Sequence, residues 1–87
     1  MKRRLRNEQL DWRQIDEEIV ILDGARAEYL TLNRSGAVLW RRLALGATRE
    51  ELASALLDVY EDLDPASAGG DADAFLSRLA SLGLLEE

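Results

Sequence analysis

Carboxylates are the commonest groups in this chain that could do chemistry, and they come as sequence neighbours: Glu17-Glu18, Glu50-Glu51, Glu61-Asp62 and Glu86-Glu87. General acid–base work needs two carboxylates held apart in a cleft, with their pKa values driven in different directions. Adjacent residues do not face one another on a helix, so these pairs read as solvated acidic surface. Five serines, Ser35, Ser54, Ser67, Ser77 and Ser81, could serve as nucleophiles, but the chain has no His to activate them. A Ser-His-Asp relay is therefore impossible. There is no Cys, the single lysine is Lys2, and Gly69-Gly70 is too isolated for a phosphate loop. The sequence offers no catalytic residue, no metal ligand set and no cofactor site, and it reads as a protein that is not an enzyme.

The 87 residues form one small domain. The absence of Cys fits a reducing cytoplasm. No apolar run approaches the ~20 residues that span a bilayer, and the basic opening is not followed by the apolar stretch of a secretory signal. Charge is uneven. Of the 11 basic side chains, four (Lys2, Arg3, Arg4 and Arg6) lie in the first six residues, leaving seven against 17 acidic ones, a balance of −10. An acidic body repels phosphates and disfavours nucleic acid as a partner. Residues 1–8 read as a flexible basic terminus.

Behind these residues stand the elements that must position them. Leu10-Asp11-Trp12-Arg13-Gln14-Ile15 alternates apolar and polar, as an outer strand with one wet face does. Ile19-Val20-Ile21-Leu22 is a short β-branched run suited to a buried strand. Asp23-Gly24-Ala25-Arg26 is a turn, and Ala27 to Leu32 returns as a third strand. Asn33 is placed to cap a helix that runs from Arg34 to Leu45 and ends at Gly46. Thr48 and Glu51 form a capping box for a second helix, with Leu52, Leu56 and Tyr60 on its apolar stripe. Pro65 and Gly69-Gly70 make residues 61–70 a loop or a short irregular turn. Asp71 caps a third helix, whose stripe is Ala72, Phe75, Leu76, Leu79 and Leu82 and which Gly83 stops. Leu84 and Leu85 fold back onto the core. The expected fold is α+β: a three-stranded antiparallel sheet followed by three helices in a winged-helix-turn-helix-like arrangement.

Trp40 and Phe75 read as core, whereas Trp12 and Tyr29 lie on outer strands, where an aromatic ring can be half wet. A strand at a sheet edge offers unpaired N–H and C=O groups that an extended peptide can satisfy. The competing reading is a DNA-binding winged helix. It needs Arg or Lys on a recognition helix, but Arg49 stands among Glu50, Glu51, Asp58 and Glu61, and Arg78 near Asp71 and Asp73. A third reading is a structural subunit that docks to a larger enzyme through the same edge.

The ordered run Glu18-Ile19-Val20-Ile21-Leu22-Asp23, Tyr29-Leu30-Thr31-Leu32-Asn33, Gly36-Ala37 with Leu39-Trp40, Gly46-Ala47-Thr48 with Glu51-Leu52, and Asp71 with Phe75-Leu76, Leu79 and Gly83-Leu84-Leu85 resembles the PqqD-like family. The likeness covers about Trp12 to Leu85. Asp11-Trp12-Arg13 and Asp23-Gly24-Ala25-Arg26 depart from the members that act in quinone cofactor assembly. They look closer to stand-alone RiPP recognition elements of lasso-peptide type. The resemblance implies a module that binds the leader segment of a ribosomally made precursor peptide by strand addition. It would present that segment to a modifying enzyme or leader peptidase, with no nucleic acid or membrane involved. It implies a groove between the third strand and third helix, with Ala27, Glu28, Tyr29, Leu30, Thr31, Leu32, Ala72, Asp73, Leu76, Ser77 and Leu79 as peptide-binding residues. Ala72, Leu76 and Leu79 are expected as an apolar wall, with Leu76 the foremost pocket residue.

Overall fold

A computed structural model describes residues 1–6 and 8–86 of the chain. The strands are β1 (Leu10–Ile15), β2 (Glu18–Asp23) and β3 (Glu28–Leu32), followed by helices α1 (Arg34–Leu43), α2 (Arg49–Val59) and α3 (Pro65–Ser81). The sheet is an antiparallel meander in the order β1-β2-β3, so β1 and β3 are both edges. Trp12 opposes Ile21, which opposes Leu30, and Ile19 opposes Leu32. Cross-strand partners share a face, and this row is the face that packs on the helices. Ile19, Ile21 and Leu32 are buried there, and Trp12 sets its ring edge-on against Trp40 of α1 at 6.2 Å. Asp11, Leu22, Thr31 and Tyr29 point to the opposite face and are exposed.

The caps expected from the sequence are present. The Asn33 side chain accepts from the Gly36 N–H at 3.0 Å. Thr48 Oγ1 accepts from the Glu51 N–H at 3.1 Å, while Glu51 Oε1 accepts from the Thr48 N–H at 2.9 Å. Each satisfies a donor that a helix start otherwise leaves free. Gly46 adopts a positive φ of 80° after α1, a region that glycine enters without a Cβ clash. The turn begins earlier than expected, since α1 stops at Leu43 and leaves Leu45 exposed.

Two expectations are corrected. The third helix does not start at Asp71 but at Pro65, with Asp64 in the N-cap position, so residues 65–70 are helix rather than loop. Pro at the first helical position has no N–H to lose and its φ is already helical. Gly69 breaks nothing because it is a close-approach site: a Cβ there would lie 2.6 Å from Arg49 Nη2 of α2. The second correction concerns the basic terminus, which is tied down. Arg3 exchanges backbone hydrogen bonds with Ala47, and Leu5 pairs with Leu85 through Arg6 N–H to Leu84 O and Glu86 N–H to Arg4 O. Leu5 covers the core from that side. Asn7, within the segment expected to be flexible, and Glu87, one half of an acidic pair, lie outside the described residues.

Candidate peptide-binding groove

The geometry of β3 follows from the ladder. Gly24 donates its N–H to the Gln9 carbonyl at 2.7 Å, in phase with the β1–β2 register. Bonded and non-bonded pairs alternate along an antiparallel ladder. Ile19, Ile21 and Asp23 therefore turn their backbone groups toward β3, where Leu32, Leu30 and Glu28 complete the ladder. Tyr29 and Thr31 turn their N–H and C=O groups outward from the sheet. Among the described residues, no side chain satisfies either amide. This is an open template for another strand.

The free edge runs beside the segment that follows α3. Two depressions mark the seam. One, of about 60 Å³, lies between Ile21, Asp23, Glu28, Tyr29 and Leu30 on the sheet side and Leu82 and Leu84 on the other. The second, of about 280 Å³, lies beyond the end of β3 and between the helices, where Asn33, Ser35, Gly36 and Leu39 of the α1 region and Leu56 of α2 face Asp71, Ala74, Phe75 and Arg78 of α3. A void of ~150 Å³ holds a benzene ring, so the second admits a whole aromatic or aliphatic side chain and the first only the tip of one.

The expected site residues divide accordingly. Glu28, Tyr29 and Leu30 line the seam, and Tyr29 is 75% exposed. Thr31 is exposed on the free edge. Ala27 is not in the strand; it sits in the turn before it, at a φ of 54°. Leu32 is buried and packs into the core beside Gly36. The residues expected as the helix wall lie in the core. Ala72 and Leu79 are 0% exposed and Leu76 only 9%, all within the core cluster. Asp73 faces α2, where its Oδ1 accepts from Arg49 Nε at 2.5 Å; this bond holds the Asp73 carboxyl below its usual pKa range. Ser77, one turn after Asp73, is exposed and lines neither depression.

The exposed residues that line the second depression from α3 are Asp71, Ala74 and Arg78, with the buried Phe75 at its floor, and Leu82 lines the first. Their spacing is a helical stripe, rotated by one position from the expected wall. The signal that could have found them was the true helix start. Once α3 begins at Pro65, the small and apolar positions Ala68, Ala72, Leu76 and Leu79 form one continuous buried stripe. The stripe beside it is then left to face the seam.

A family model described as "Coenzyme PQQ synthesis protein D (PqqD)" matches residues 18–85. Comparison with curated proteins gave no match. Among solved structures, the chain is similar to that of "TbiB1 in Complex with the TbiA(beta) Leader Peptide", at 29% identity and a TM-score of 0.86, covering 95% of this chain and 94% of that one. It is also similar to "Lasso peptide synthetase B1 complexed with the leader peptide", at 28% identity and a TM-score of 0.83, covering 98% of both chains. With the match running from β2 through α3 to Leu85, and with both solved neighbours superposing over nearly their whole length, the chain belongs to the PqqD family.

Proposed function

We propose that this protein binds the leader segment of a ribosomally synthesised precursor peptide as an added strand on β3. It then presents that peptide to a modifying enzyme or leader peptidase in the cytoplasm and does no bond chemistry itself. The observation that carries the reading is the open Tyr29–Thr31 edge beside a seam with room for side chains. Backbone pairing is nearly sequence-blind, so the seam has to supply specificity. Support comes from two solved neighbours described as complexes with a leader peptide, one of them a lasso peptide synthetase B1. No helix among the described residues is long and apolar enough to cross a membrane.

The DNA-binding reading loses its chemistry. Arg49, at the start of α2, is engaged by Asp73 and Glu50, and Arg42 by Glu51 at 2.7 Å. These guanidinium groups are neutralised locally rather than presented to phosphates.

Titration of the ¹⁵N-labelled protein tests the proposal. The probes are the leader encoded with it, the TbiA(beta) leader as a surrogate, and a mixed-sequence DNA duplex. The expected result is micromolar or tighter leader binding, with the Tyr29 and Thr31 amides protected from exchange and no response to DNA. Duplex binding with neither leader bound would overturn it.

A further inference from the structure

The two walls of the small depression belong to different parts of the chain. One is the β2–β3 hairpin; the other is the segment just after α3. Among the described residues, one guanidinium hydrogen-bonds to both. Arg6 Nη2 donates to Asp23 Oδ1 at 2.6 Å, and Arg6 Nη1 donates to the Gly83 carbonyl at 2.8 Å. Asp23 is 7% exposed and ends β2, where the same Oδ1 also accepts the Ala25 and Arg26 amides of the hairpin turn. Gly83 stands between Leu82 and Leu84, the two side chains that form the opposite wall. Arg6 is itself fixed, because its N–H donates to Leu84 O at 2.8 Å.

We infer that Arg6 is a positioning residue that sets the width of the leader groove at its hairpin end. The inference rests on the peptide-binding reading. It extends that reading to a residue of the basic terminus, which lies outside the span the family model matches. The planar fork of Arg reaches two acceptors in fixed directions at once, whereas a Lys ammonium is a point charge on a flexible stem. Without the fork, the β2–β3 hairpin and the Leu82–Leu84 segment keep, among the described residues, only packing between them at this end. An entering peptide must then order both walls, which costs affinity.

The test uses Arg6→Ala and Arg6→Lys in the full chain. Because the chain has no Cys, Ala25→Cys and Ser81→Cys accept nitroxide labels cleanly, one beside each wall. Arg6→Ala should broaden the label-to-label distance distribution and weaken leader binding by about tenfold. Arg6→Lys keeps the charge beside Asp23. It should melt close to wild type, yet still show a broadened distribution and a loss of about threefold in leader affinity. A purely structural role predicts that Lys restores width, affinity and melting temperature together, and that result would overturn the inference. So would a narrow, unshifted distribution in a folded Arg6→Ala protein. If neither leader bound the wild type, the peptide reading would fall, while the label distances would still decide whether Arg6 holds the walls.

Discussion

The sheet has two edges, and the molecule treats them differently. On β1 the outward amide of Trp12 is taken by the adjacent Asp11 carboxylate at 2.9 Å, and the Gln14 side chain folds onto the Asp16 carbonyl. On β3 the outward groups of Tyr29 and Thr31 have no such cover among the described residues, and a seam with side-chain room runs alongside. An open edge is an aggregation hazard that proteins normally blunt with charged side chains. One outward amide is covered on β1 and neither on β3, so the two edges differ in what they leave free among the described residues. That difference is read from hydrogen bonds rather than from strand composition.

The largest expected effect concerns α3. Leu76 lies in the core, so Leu76→Ala should cost about 2 to 5 kcal/mol of stability in urea unfolding. Leader affinity of the molecules still folded should change little. Retained stability with lost affinity would return Leu76 to the groove wall and undo the assignment of the Asp71–Arg78 stripe.

Next comes the edge itself. Leu30 bonds inward to β2, so Leu30→Pro should remove a ladder bond and destabilise the fold, visible as a lower melting temperature. Thr31 bonds outward, so Thr31→Pro should leave the circular dichroism near wild type and lower leader affinity by more than tenfold, about 1.4 kcal/mol. A folded Thr31→Pro variant with normal affinity would break the comparison between edges.

The hairpin that carries β3 gives a pH signature. Burial raises the Asp23 pKa, but Arg6 together with the Arg26 and Ala25 amides outweighs it, and the net direction is below the ordinary value of 3.8. A depressed carboxylate contributes stability above its unfolded-state pKa and loses it as pH falls through the lower folded-state value. Acid titration should therefore show a loss of stability beginning near pH 3.8 and extending below it. Asp23→Asn should make that limb shallower, with Glu51, Asp64 and Asp73, also lowered, supplying the remainder.

The smallest expected effect is on β1. Asp11→Ala should shift stability by no more than about 0.5 kcal/mol, as surface changes usually do. It should leave leader affinity intact while uncovering the Trp12 amide. Sedimentation at rising protein concentration should then show more self-association than wild type. If leader binding fell instead, β1 would be part of the working edge.

Local chemistry carried most of the fold. The alternation of Leu10–Ile15, the β-branched run at Ile19, the Asn33 cap and the Thr48–Glu51 capping box are each decided within a few residues. All four stand in the structure where sequence reading put them. The family signature likewise pointed to the third strand. Three things were beyond local reasoning. Gly69-Gly70 reads as a helix breaker until Arg49 of another helix is seen crossing over it. Read as a breaker, the pair puts the expected N-cap at Asp71 rather than Asp64, seven residues late. The basic terminus reads as frayed until Ala47, Leu85 and Asp23, all distant in sequence, are found to hold it. Which edge stays open depends on ladder phase and on the Asp11 side chain. Element identity is set by neighbours along the chain. Helix rotation, docking of the terminus and the choice of edge are set by residues that meet only after folding.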